Sequence, residues 1–226
     1  MKAILFDMDG TMLASMHAWH AAESGVFDAL NIPRDMIDYD LLVTSGLEEA
    51  LSLVKKMYNI PVDIPKAWKH IHDYMERFYT SEVQLCPGVI QTLEYFHQRG
   101  IPLGVGTATM QELADKAIDF TGLRRYFDFV YSASSNGYNK NDMDYFASAS
   151  QRFGVPPKDM ALFDDALYAL IAAKQLGCKT VGVQDLSGEQ NTEAIKRHAD
   201  TFIESFETFD AELWLNQWEG EDNETI

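Results

Sequence analysis

The sequence predicts an α/β fold in which helices wrap a parallel sheet and a helical insertion follows the first strand. Three observations carry this. Short apolar runs of strand length alternate with amphipathic helical segments over most of the chain. The stretch from Ser15 to Val83 breaks that alternation and holds helical patterns only. Two apolar runs end in clustered aspartates, which suits the carboxyl edge of an open parallel sheet, where ligands bind.

Taken in order, Lys2 to Phe6 is the first strand, ending at Asp7. The insertion then places helices around Trp19 to Leu30, Leu47 to Tyr58 and Lys66 to Tyr79, with Pro61 and Pro65 punctuating the last two. Its ends, near Ala14 and Gln84, are expected hinges. Pro87 to Arg99 carries Val89, Ile90, Leu93 and Phe96 at helical spacing and stops at Gly100. Ile101 to Gly106 is the second strand and Gln111 to Phe120 the next helix. Phe127 to Ser132 is a third strand, before a helix over Asp144 to Phe153. Met160 to Phe163, Thr180 to Val183 and an edge strand Thr201 to Ile203 complete the sheet. Tyr168 to Leu176 is the helix between the fourth and fifth strands, stopped by Gly177. The acidic stretch Glu219 to Ile226 reads as a frayed end.

With 226 residues, 46% of them hydrophobic, the chain can build its core without disulfide or metal staples. Cys86 and Cys178 match no metal-ligand spacing and read as buried apolar residues, in keeping with a reducing, cytoplasmic setting. The apolar run before Asp7 is too short for a signal peptide, and no segment is long enough to span a bilayer. A formal net charge of −17 argues against nucleic-acid partners, whose phosphates need Lys and Arg. It also means that an anionic substrate requires local compensation by a cation.

Four segments carry chemistry. Phe6-Asp7-Met8-Asp9-Gly10-Thr11 puts two acids at a strand end, and Gly10 permits the turn that lets them converge on one metal. A calcium loop begins similarly but needs a glutamate at its twelfth position, where Ala18 stands. Leu162-Phe163-Asp164-Asp165 is a second strand ending in adjacent carboxylates, which repel unless a cation lies between them. Gly104 to Thr109 offers the Thr107 hydroxyl and free amides, Ala108 among them, to a phosphoryl oxygen; Thr107 could equally cap the following helix. Lys140 lies in the polar loop Ser134 to Asp142 and takes its meaning from the other three.

In this order the four segments resemble the four motifs of the haloacid dehalogenase superfamily, over Lys2 to about Phe206. The sequence departs from the family pattern at Ala14-Ser15, where Asp-Ser is usual, and after Lys140, where Asn141 replaces a proline. The resemblance implies a doubly wound, Rossmann-like core over 1–14 and 84–226 and a helical cap over 15–83. It implies a magnesium-dependent phosphatase acting on a small phosphorylated metabolite, such as a sugar phosphate, through an aspartyl-phosphate. Asp7 would be the nucleophile and Asp9 the general acid and base. Asp7, Asp9 (through its carbonyl) and Asp165 would hold Mg²⁺, with Asp164 as a further ligand or as support behind it, while Thr107, Ala108 and Lys140 bind the phosphoryl group. Cap residues Thr44, Glu48 and Trp19 would face the substrate. A carboxylate at Asp9 favours phosphate esters over carbon–halogen or carbon–phosphorus bonds. A phosphomutase resembling β-phosphoglucomutase shares every one of these residues and stays open as the alternative. The chain is expected to work as a monomer.

Overall fold

A computed structural model of the chain describes residues 1–33, 47–58, 62–188 and 190–221. Six strands form one sheet: β1 (Ala3–Phe6), β2 (Leu103–Thr107), β3 (Phe129–Ser132), β4 (Met160–Asp164), β5 (Lys179–Val183) and β6 (Thr201–Ile203). Every pairing is parallel and the order is β3-β2-β1-β4-β5-β6. This is the doubly wound arrangement, whose switch point falls between β1 and β4. The α-helices among the described residues are α1 (Met16–Ala29), α2 (Leu47–Tyr58), α3 (Ile64–Ser81), α4 (Val89–Gln98), α5 (Gln111–Phe120), α6 (Met143–Phe153), α7 (Leu167–Leu176), α8 (Thr192–His198) and α9 (Ala211–Glu221).

The chain separates into two compact units, Met1–Met16 with Val83–Ile226, and His17–Glu82. In the first, both faces of the sheet are covered, which is why β1 and β4 are buried throughout and their apolar residues do not alternate with polar ones. Phe6 of β1 stacks on Phe163 of β4 at 4.7 Å between ring centroids, with Phe96 of α4 and Trp214 of α9 edge-on to Phe163. On the opposite face Leu5 and Leu162 pack among Tyr131, Tyr145, Phe146 and Leu170. Each such fully buried side chain contributes about 1.5–3 kcal/mol. The strands that position the site are therefore held in a dense core.

In the second unit, α1 buries Ala18, Ala22 and Val26, and α3 buries Ala67, Ile71 and Met75. Small residues let helices approach closely. The α3 start is set by Asp63, whose carboxylate accepts the Lys66 N–H at 3.0 Å, and by Pro65 in the first turn. The outgoing and returning segments of the insertion run side by side within the first unit. Leu13 bridges Leu85 antiparallel, the Ala14 N–H donates to the Gln84 carbonyl at 2.9 Å, and that of Cys86 to Met12 at 2.8 Å.

Several expectations need correction. The second strand starts at Leu103, because Pro102 has no N–H to give the ladder. The third starts at Phe129. Two helices escaped the reading, α8 and α9. The first is only 7 residues long, too short for a helical period to register. The second buries Ala211, Trp214 and Leu215, a stripe at i, i+3 and i+4. Its backbone continues through Glu219 to Glu221, so these residues extend a helix. Both cysteines are free and buried. No helix among the described residues is long and apolar enough to cross a membrane.

Candidate active site

The site is built at the switch point. Asp7 directly follows β1, and its N–H donates to the Phe163 carbonyl at 2.8 Å, tying the end of β1 to β4. Asp164 is the last residue of β4 and Asp165 the next. One carboxylate oxygen from each of Asp7, Asp164 and Asp165 lies within 4.8 Å of the others. Gly10 turns the chain with φ +81°, a conformation that disfavours other residues, and a Cβ there would meet Asp165 Oδ2 at 2.6 Å. Thr11 Oγ1 donates to Asp165 Oδ1 at 2.9 Å. The Gly10-Thr11 pair of the N-terminal segment thus seats the carboxylate of Asp165.

Lys140 enters from the segment after β3 and is buried, with 5% of its surface exposed. Its ammonium pairs with Asp7 Oδ1 and stands 2.7 Å from Asp164 Oδ2. The other Asp164 oxygen accepts the Ala166 N–H at 2.8 Å. Burial raises the Asp7 carboxyl to about 6, against the lowering pull of Lys140 and with a further push from Asp164. Burial also raises Asp164, and with Asp7 and Asp164 it holds Asp165 well above the usual carboxylate range. Burial opposes the charge on Lys140, yet Asp164 and Asp7 outweigh it and hold its ammonium well above the ordinary lysine value. Three carboxylates gather beside one ammonium, which pairs with two of them. An oxygen-only donor set with excess negative charge fits a hard divalent cation.

Asp9 is placed differently. Its Oδ1 accepts from Ser15 Oγ at 2.6 Å and its Oδ2 from Thr109 Oγ1 at 2.7 Å. Its carboxylate stands outside the group of three. Thr107 ends β2, and its hydroxyl accepts the Thr109 N–H at 3.0 Å, so it folds its own turn. Ala108 is exposed, and its carbonyl accepts from Ser134 Oγ at 2.9 Å. Trp19 lies in the helical unit, where its indole N–H donates to the Tyr79 hydroxyl at 3.0 Å. Thr44 lies outside the described residues, and so does the side chain of Glu48, a residue of α2.

The sequence reading missed Ser15, Thr109 and Thr11 as partners of the acids. The signal for Thr11 was adjacency within the motif; for Thr109 it was a second hydroxyl two residues after Thr107. Cys86 borders the site as well. Burial, then Asp185, Asp165 and Asp7, push its thiol up to about 12, which makes it a poor nucleophile.

The doubly wound sheet thus gathers three carboxylates and a lysine at its switch point. The sequence matches the haloacid dehalogenase-like hydrolase family over residues 4–183, and the chain belongs to that family as a hydrolase of its phosphatase class. It is 23% identical over 181 residues to the phosphorylated carbohydrates phosphatase of Thermotoga maritima, covering 80% of this chain and 84% of that protein. It is 25% identical over 181 residues to the fructose-1-phosphate phosphatase YqaB of Escherichia coli K12, covering 80% and 95%. In fold it is similar to CbbY from Rhodobacter sphaeroides, solved with xylulose-1,5-bisphosphate, at TM-score 0.75 and 23% identity over 92% of this chain and 95% of that one.

Proposed function

We propose that this protein hydrolyses the phosphate ester of a small phosphorylated carbohydrate, with Mg²⁺ as cofactor and Asp7 as nucleophile. One observation carries the reading: Asp7, Asp164 and Asp165 converge within 4.8 Å beside the buried ammonium of Lys140. The substrate class rests on the relatives, two of which are named for phosphorylated carbohydrates.

An Asp7 oxygen attacks phosphorus, and the bond from phosphorus to the sugar oxygen breaks. Asp9 gives its proton to that departing oxygen. Water then attacks the aspartyl-phosphate, Asp9 takes a proton from it, and the Asp7 carboxylate is released with inorganic phosphate. Lys140 offsets charge on the phosphoryl oxygens and on Asp7, and Asp164 holds that ammonium in place. The Thr107 hydroxyl and the Ala108 amide bind the same oxygens. Asp7, the Asp9 carbonyl and Asp165 would hold Mg²⁺, which would supply charge neutralisation at the transferring group.

The test is a panel of sugar phosphates and phosphoglycolate, assayed for phosphate release with Mg²⁺ and with chelator. Metal-dependent release from sugar phosphates is the expected result. Isomerisation of a hexose 1-phosphate without free phosphate would replace hydrolase with mutase. Equal release under chelation would remove the metal.

A further inference from the structure

The β4–β5 ladder ends at the pair Asp164 and Gly182. The next residues, Asp165 and Val183, would form the following rung, but the strands stop pairing there. Gln190 closes the gap. Its side-chain Nε2 donates both to the Asp165 carbonyl at 2.9 Å and to the Val183 carbonyl at 3.0 Å. Its Oε1 accepts the Asp185 N–H at 2.5 Å and Gln184 Nε2 at 2.7 Å. Both donors and both acceptor positions of the amide are thereby used. No other residue type has this reach with two donors and two acceptors on one planar group.

We infer that Gln190 is a positioning residue for the metal site, a side-chain rung that fixes the main chain of Asp165 and through it the direction of the Asp165 carboxylate. The inference rests on the Mg²⁺ reading above. Asp165 is then held at three points: Thr11 on its carboxylate, the bare Cα of Gly10 against it, and Gln190 on its carbonyl. The first two were implicit in the N-terminal motif. The third comes from the segment after β5, to which the reaction assigns no role. Groups that orient a metal ligand without touching the ion typically change metal affinity by about 10- to 100-fold when removed.

Mg²⁺ affinity, read by titration calorimetry on the full chain, tests this. Gln190→Met keeps the length and removes the amide. It is expected to weaken Mg²⁺ binding by about ten-fold or more. Gln190→Glu keeps the two acceptor contacts and removes both donors, and serves as the measured variant if Gln190→Met does not fold. Thr192→Val removes the hydroxyl that donates to Gln184 Oε1 at 3.0 Å, one step further out in the same loop. It is expected to loosen the loop and leave Mg²⁺ affinity unchanged. Wild-type affinity in the folded Gln190 variant overturns the rung. Equal weakening in Thr192→Val overturns it too, because loop stability alone would then account for the effect. A wild-type chain that gives no Mg²⁺ heat, or an Asp165→Asn chain that binds as well as wild type, overturns the metal reading itself.

Discussion

Lys140 Nζ stands 2.7 Å from Asp164 Oδ2, and neither side chain reaches solvent to any useful extent. The same ammonium pairs with Asp7, so one buried cation serves two buried carboxylates. Without that ammonium the two carboxylates would face each other unpaired. Lys140→Met should cost about 3–5 kcal/mol of stability, since it strands two carboxylates away from water. Chemical denaturation of the metal-free protein measures this, and turnover should fall with it.

Asp7→Asn should behave in the opposite way. It removes the proposed nucleophile and one of the repelling charges together. Turnover should drop by about 10⁴-fold or more. Melting temperature in chelator should hold or rise. A rapid-quench search for the phosphorylated enzyme should find the species in wild type and lose it in the variant. Retained turnover would remove Asp7 from the chemistry.

Asp9 should reveal its work through the leaving group. Proton donation matters most when the departing oxygen is a poor leaving group. Asp9→Asn should slow a sugar phosphate by about 10²-fold or more, and an aryl phosphate with an acidic phenol far less. Thr109→Val and Ser15→Ala, which free the two Asp9 oxygens, should give a milder form of the same pattern. Uniform slowing across both esters would remove Asp9 from protonation of the leaving group.

The metal-free protein should lose stability as pH rises from 3.8, the ordinary aspartate value, to about 6, the value of buried Asp7. Asp7, Asp164 and Asp165 are all raised, so the folded state binds more protons than the unfolded state across this window. Each proton released as pH climbs therefore favours unfolding. Calorimetry in chelator from pH 4 to 7 measures the fall. Mg²⁺ should blunt it by favouring the ionised carboxylates.

Gly10→Ala should damage the site from a distance of one side chain. The positive φ costs about 1–3 kcal/mol in a residue with a Cβ. The new methyl would press on Asp165. Denaturation and Mg²⁺ titration should both register it, the second more strongly.

The acids of the site were legible because each announces itself locally, as an apolar strand ending in carboxylates. Lys140 was legible only by its order among the other motifs; nothing in its polar loop distinguishes a buried ammonium from a solvated one. The hydroxyl contacts on Asp9 were hidden, since Thr109 lies 100 residues away and its partner is chosen by β2 lying beside β1. The Gln190 rung was hidden for the same reason: it depends on where a ladder stops, and one chain read in isolation carries no signal for that. The strands were readable through burial on both faces, while α8 was too short to show a period.

The paired segments around Leu13 and Leu85 have a consequence for how this molecule can change. The detour of chain from His17 to Glu82 departs and returns through adjoining main-chain contacts, at Ala14 with Gln84 and Met12 with Cys86. A cut made there touches no rung of the six-stranded ladder. The detour is thus a cassette in the chain's path: the clustered carboxyls of Asp7, Asp164 and Asp165 all belong to the part of the chain outside it.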